Sequence, residues 1–178
     1  LDYDAIARDL GMDYSEITGE PFDAIASIGM VEHVRSVNID TYAAKLASLL
    51  KPGGRLLNHG IARLRVGEAE AGPFSERYVF PDAAPLHVSR IQLALERAGL
   101  HTRHVEDFPD DYARTLLAWE RNFTHAWSHF RAAYGDRFGR MWRYYLLSCA
   151  GAFRSRTIEL YQFVFAKGGV PGGYTAVR

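Results

Sequence analysis

Residues 22 to 61 constrain the fold most, because two short apolar runs there flank one amphipathic stretch. The first run, 22–29 (FDAIASIG), is bounded by Gly19-Glu20-Pro21 and by Gly29, and it reads as a strand buried on both faces, the kind that parallel sheets contain. After it, Asn38 or Asp40 is placed to cap a helix whose apolar positions Tyr42, Leu46, Leu49 and Leu50 recur at i, i+4, i+7 and i+8. Lys51-Pro52-Gly53-Gly54 ends that helix, since proline cannot continue it and glycine supplies the left-handed conformation common at helix ends. Residues 55–61 (RLLNHGI) then form a second strand. Strand, helix and strand joined by short connections specify a right-handed parallel crossover.

Residues 62–86 are rich in Gly, Pro, Glu and Ala around an aromatic knot, Tyr78-Val79-Phe80-Pro81. They read as a long functional loop, because connections above roughly 12 to 15 residues without secondary structure are uncommon. Ser89 followed by Gln92 resembles a capping box, and Ile91, Leu95 and Ala98 form an apolar stripe that Gly99 ends. Residues 101–108 make a weak third strand, with Val105 and Phe108 as its strong apolar members. Tyr112, Leu116, Trp119, Phe123, Trp127, Phe130 and Tyr134 then recur at the period of one helix face, and after Gly135 so do Phe138, Trp142, Tyr145, Cys149 and Phe153. Two long helices with facing aromatic stripes follow from that pattern. Residues 159–167 (ELYQFVFAK) alternate as a last strand, and 168–178 read as a frayed tail. Alternating strands and helices specify an α/β layer fold with a helical pair inserted before the last strand.

Composition removes several functions. The chain has 178 residues, 48% of them apolar, which describes one soluble globular core. Its 21 basic and 21 acidic residues give a formal net charge of zero, against a dedicated nucleic-acid binder. Cys149 is the only cysteine, so no internal disulfide forms and a reducing compartment is expected. No apolar run approaches the 18 residues of a membrane span, and LDYDAIARDL lacks the features of a signal peptide, so the expectation is a cytoplasmic protein.

Ligands of open α/β sheets lie beyond the carboxyl ends of the strands, which directs attention to Gly29-Met30-Val31-Glu32-His33 and to Asn58-His59-Gly60-Ile61. Glu32 and His33 are either active-site groups or, for Glu32, a helix N-terminal acid favoured by the dipole. His59 reads by itself as a satisfied core histidine unless Glu32 lies across the same crevice. Spacing alone makes Tyr112 and Cys149 packing residues. The pairs His125/His129 and His101/His104 lack a third ligand at zinc spacing, so no metal site is expected. No phosphate loop, Gly-x-Ser-x-Gly elbow or GxGxxG fingerprint is present.

The order of motifs resembles the cyclopropane-fatty-acyl-phospholipid synthases and related mycolic acid cyclopropane synthases, a family of S-adenosylmethionine-dependent methyltransferases. The resemblance is carried by residues 22–34 (FDAIASIGMVEHV), 50–54 (LKPGG), 57–61 (LNHGI), 77–82 (RYVFPD), 111–116 (DYARTL) and 149–154 (CAGAFR), in order between Asp13 and Gly168. It implies the C-terminal half of a class I methyltransferase, a Rossmann-like doubly wound sheet, with residues 13–168 as the catalytic domain, 1–12 unassigned and 169–178 a flexible tail. Members carry a Gly-rich loop like D-x-G-C-G-W-G before the position of Asp13, and residues 1–12 hold none. The chain therefore reads as the second half of a longer enzyme, expected by itself to bind the cofactor poorly or not at all.

By the same resemblance, bicarbonate is held by Glu32, His59 and Tyr112 with a backbone contact near Ile61, and Cys149 matches a cysteine associated with activity, although its apolar stripe favours a pocket-lining role. Asp13, Tyr14 and Ser15 border the adenine of S-adenosylmethionine, and Ile28 and Gly29 line the same pocket. Tyr78, Phe80, Trp119, Phe123, Tyr145 and Phe153 contribute to an acyl-chain tunnel or its roof. The implied reaction places a methylene carbon across a cis double bond of a phospholipid acyl chain, through a carbocation that bicarbonate deprotonates. Methylene- or methyl-branched products and a non-catalytic lipid-binding relative are the alternatives. The implied partner is an unsaturated phospholipid at a membrane surface, met transiently, and a homo-oligomer is compatible with the sequence.

Overall fold

The computed structural model of the chain describes residues 19–65, 72–81, 83–170 and 172–176. They divide into two compact units, one made of the chain before Phe108 and after Leu160, the other of Phe108–Leu160.

The first unit is an α/β layer. Strand β1 (Phe22–Ile28) leads through a 3-10 turn (Val31–His33) into helix α1 (Arg35–Leu49), strand β2 (Leu50–Arg63), the short helix α2 (Pro73–Tyr78), helix α3 (Val88–Arg97) and strand β3 (Leu100–Asp107). After the second unit's helix α4 (Pro109–Arg154), strand β4 (Ile158–Lys167) completes a sheet of order β1-β2-β4-β3. β1 and β2 are parallel, with Ala24 beside Arg55 and Ile28 beside His59, while β3 and β4 are antiparallel. Ile39, Tyr42 and Ala43 of α1, Ile91 and Leu95 of α3, Leu56 of β2, and Phe163 and Phe165 of β4 share one apolar cluster. The expected strand–helix–strand crossover and last strand are thus present.

Several local expectations are corrected. β1 is not buried on both faces: Ser27 is its one buried residue and Ile28 is 64% exposed, because among the described residues β1 pairs only with β2 and forms the sheet edge. α1 begins at Arg35, so neither Asn38 nor Asp40 caps it; the 3-10 turn feeds the chain straight into the helix, with the Val34 amide bonded to the Val31 carbonyl. β2 starts at Leu50 itself, and residues 51–54 form a bulge where the register jumps from Phe22 beside Leu50 to Ala24 beside Arg55. α3 is capped by His87, whose ring accepts from the Ser89 amide at 3.2 Å, not by Ser89. The expected loop after β2 carries α2, with Pro73 in its first turn.

One buried polar network pins β1, α1 and β2. The Tyr42 hydroxyl, on a fully buried ring, lies 2.6 Å from Ser27 Oγ and accepts from Asn58 Nδ2 at 2.7 Å. Sequence patterning assigns Tyr42 to an apolar stripe, yet its oxygen is what lets Ser27 and Asn58 be buried.

The second unit is the helical pair. α4 contains Gly135 at φ 73°, ψ 159°, a conformation outside the helical region that glycine adopts without strain, so the chain folds back there as the spacing predicts. The two arms meet through Tyr112 and Phe153 at 5.0 Å between ring centroids, Phe123 and Phe138 at 6.4 Å, and an Arg143–Glu120 ion pair at 2.7 Å. Trp127 covers Gly139, where a Cβ would stand 2.6 Å from the indole.

Tyr42→Phe should destabilise the full-length protein by about 1–3 kcal/mol, because it strips two buried polar groups of a shared partner while preserving ring volume. Urea unfolding reads this, and a loss below about 0.5 kcal/mol would show that the network contributes little.

Candidate active site

The carboxyl end of β1 and the last residues of β2 meet at Glu32. β2 extends beyond the Ile28–His59 pairing, so Gly60 and Ile61 stand past the end of β1, next to the turn that carries Glu32. The turn is held at two points: the Gly29 amide donates to the His59 carbonyl and the Ala84 amide to the Glu32 carbonyl, both at 2.8 Å.

Glu32 is 7% exposed, and its Oε1 accepts from the Ile61 amide at 2.6 Å. Its Oε2 is buried without a hydrogen-bond partner among the described residues. Burial pushes the Glu32 carboxyl above its ordinary range, and the Ile61 amide pulls it partly back. The side chain therefore turns inward to β2 and is no helix-terminal acid. Gly60 makes this geometry available, since a Cβ there would lie 2.5 Å from Val31 Cγ1 and 3.2 Å from Glu32 Oε2. An isolated glycine inside a strand signals close approach by another group, and Gly60 within LNHGI is such a glycine.

His59 is half-buried, and burial lowers its pKa, which favours the neutral ring. Strand alternation places it on the face opposite Gly60, and no hydrogen bond joins it to Glu32 among the described residues. Ile61, expected to offer its backbone to an anion, gives its amide to Glu32 here. His33 packs edge-on against Phe80 at 5.8 Å between ring centroids.

An anion with a hydroxyl group fits Glu32, because Oε2 is a buried acceptor with vacant lone pairs. S-adenosylmethionine is matched only at the end of β1, where Ile28 is exposed and nothing lies within 4 Å of the position a Gly29 Cβ would take. Asp13, Tyr14 and Ser15 lie outside the described residues.

In the second unit, Tyr112 lies near the start of α4, its ring against Trp119 and Phe153. Burial raises the pKa of both Tyr145 and Cys149, for Tyr145 with further contributions from Cys149 and Tyr112. Cys149 is thus held as a thiol, a state suited to lining a pocket more than to nucleophilic attack. Tyr78, in the first unit, packs on Phe74 and carries the Arg77 guanidinium over its ring at 5.3 Å. Phe123 lines a cavity of about 300 Å³ together with Trp127 and three arginines, and Trp119 is 48% exposed.

Sheet order, helical layer and strand-end site define the class I methyltransferase fold. The cyclopropane synthase MmaA2 from Mycobacterium tuberculosis shares it with a TM-score of 0.79 at 24% identity, over 88% of this chain and 59% of that one. Mycolic acid cyclopropane synthase CmaA1, solved with SAH and CTAB, gives the same TM-score of 0.79 and identity of 24%. The family described as Mycolic acid cyclopropane synthetase matches residues 2–163, and the chain belongs to it. It is 39% identical over 166 residues to the cyclopropane-fatty-acyl-phospholipid synthase of Escherichia coli (strain K12), covering 93% of this chain and 42% of that protein. It is 35% identical over 161 residues to a probable fatty acid methyltransferase of Pseudomonas putida, covering 88% and 41%. The chain spans about two-fifths of the length of these curated relatives.

Gly60→Ala should cost about 1–3 kcal/mol by overpacking, and Val31→Ala should cost less in that background than in the parent. Additive losses in the double-mutant cycle would contradict the close approach. Because the folded-state pKa of Glu32 lies above its unfolded value of 4.5, its contribution to stability is complete below that value and is lost as pH rises through the folded pKa. Unfolding free energy of Glu32→Gln, measured against the parent, should therefore gain steadily from about pH 4.5 upward. A difference that does not change with pH would show that the carboxyl is not desolvated.

Proposed function

We propose that the full-length protein is an S-adenosylmethionine-dependent lipid C-methyltransferase that converts a cis double bond of an unsaturated phospholipid acyl chain into a cyclopropane. The observation that carries this reading is the buried Glu32 carboxylate at the carboxyl end of the sheet, one oxygen held by the Ile61 amide and the other a buried acceptor with no hydrogen-bond partner among the described residues. Membership in the cyclopropane synthetase family supplies the chemical class.

S-adenosylmethionine, when bound, supplies an electrophilic methyl group. Adding a methyl to an alkene leaves a positive charge on the neighbouring carbon, and the ring closes only as the new methyl loses a proton. The protein has to keep water from that charge and give the proton a destination. Glu32 is suited to accept from the hydroxyl of a bicarbonate ion through Oε2, which orients the ion as the base. Ile61 acts by positioning Glu32. His59 is assigned to the same ion on the family resemblance alone, because strand alternation sets its side chain on the face opposite Gly60. Tyr112 of the second unit is proposed as a catalytic residue on the family resemblance, as are Asp13, Tyr14 and Ser15 for the adenosine portion of the cofactor. Aromatic faces attract a positive charge by about 0.5–2 kcal/mol each when desolvated, which suits Tyr145 and Phe153 of the second unit to a tunnel wall. Residues 13–168 are assigned to this catalytic domain, acting from the cytoplasmic side on membrane lipid. Among the described residues no helix is long and apolar enough to cross a membrane.

Glu32→Gln in the full-length enzyme should lower cyclopropane formation on unsaturated phospholipid by at least about 100-fold, the scale of losing a group that positions a general base. Product is read by proton NMR of the high-field ring methylene, which also separates a cyclopropane from a methylene branch of equal mass. Turnover within threefold of the parent would remove Glu32 from the reaction.

A further inference from the structure

Residues 128–137, the turn of the helical hairpin, are exposed without interruption. Two large aromatic side chains stand there, Phe130 at 46% and Tyr134 at 58% exposure, their ring centroids 6.5 Å apart. Between residues 120 and 143 the chain carries five arginines against two carboxylates, although its formal net charge over 178 residues is zero. Both carboxylates are engaged: Asp136 takes Arg131 at 2.7 Å through two nitrogens, and Glu120 takes Arg143 at 2.7 Å. Arg121, Arg137 and Arg140 have no carboxylate at ion-pair distance among the described residues. Arg140 also lines the cavity of about 300 Å³, beside Arg131, Arg143, the Trp127 ring and the Asp136 carboxylate, which is bonded to Arg131 and lies within electrostatic reach of Arg140.

We propose that this hairpin turn is a docking surface for the face of an anionic phospholipid bilayer, with the arginine-lined cavity seating a lipid phosphate. Tyrosine and other amphipathic rings favour the headgroup level of a bilayer. Guanidinium groups recognise phosphate by paired hydrogen bonds and are weakly hydrated, so they leave water at smaller cost than ammonium groups. The charge is complementary to an anionic leaflet and self-repelling toward a second copy of the same turn, which selects the lipid surface as occupant. The arginines come from both arms of the hairpin, which is why no polybasic run marks the site in the sequence. The choice of lipid rests on the function proposed above, and the test separates the two.

Flotation of the full-length protein with vesicles of saturated phosphatidylglycerol and phosphatidylcholine measures docking without turnover. Binding should require phosphatidylglycerol and weaken with added salt. Arg137→Gln with Arg140→Gln should lower the partition coefficient roughly 25-fold, about fivefold per arginine near an anionic surface. Arg137→Lys with Arg140→Lys should retain most of it, and Phe130→Ser with Tyr134→Ser should lower it on the same vesicles. Equal binding to phosphatidylcholine alone, or binding of the double Gln variant within twofold of the parent, would overturn the proposal, as would a change in sedimentation mass in place of vesicle binding. Methyl transfer to unsaturated phospholipid in neutral detergent micelles reads the catalytic reading separately. Its absence together with charge-dependent docking defeats that reading and leaves the docking surface standing, while turnover without docking does the reverse.

Discussion

The Glu32 carboxylate rests on the backbone of β2, hydrogen-bonded by one neutral amide and otherwise surrounded by protein. Removing a carboxylate from water costs several kcal/mol, and one amide donor offsets only part of that. The remainder has to come from the core around it, where Val31, Val34, Ile39 and Leu56 are buried in one cluster. The backbone bonds that hold the turn, at Gly29 and Ala84, resist the outward swing that would rehydrate the carboxyl. A group kept in this state is raised in pKa and ready to receive a hydrogen bond, which is a functional property obtained at the expense of stability.

Rigidity of the same region comes from the Ser27–Tyr42–Asn58 network, which binds two parallel strands to the helix that crosses between them. The second unit is organised differently. Its arms are joined mainly by ring-to-ring contact and by Trp127 lying on Gly139, with the Glu120–Arg143 ion pair as a polar contact between them. Aromatic rings here serve at least two ends: Phe153 is buried packing, and Phe130 and Tyr134 are left exposed at the turn of the hairpin.

Legibility followed the range of the interactions. Steps of three and four along 112–153 and the break at Gly135 could be read directly, because helix periodicity is a local property of the chain. That the helix ends before Pro52 was equally readable, although residues 51–54 form a strand bulge and not the helix end. Caps failed where a competing local contact won: His87 displaced Ser89 at α3, and the 3-10 turn at Val31–His33 made a cap at Asn38 unnecessary. The exposure of β1 was unreadable for another reason, since an apolar strand looks the same whether one or both of its edges are paired. Glu32 and His59 were identified by their place at strand ends, whereas the Gly60 nook and the buried Tyr42 hydroxyl need the packed neighbours to be seen.

By itself, then, the sequence determined the order of the strands and of the longer helices, the two aromatic arms and the residues from which a strand-end site could be drawn, because these depend on period, spacing and turn chemistry. Tertiary structure alone decided that Glu32 is buried against Ile61 with one oxygen left without a partner among the described residues, that Cys149 is held as a thiol by burial, and that widely spaced arginines gather around one cavity. Those properties arise from desolvation and from contacts between residues distant in the chain, and no local pattern encodes either.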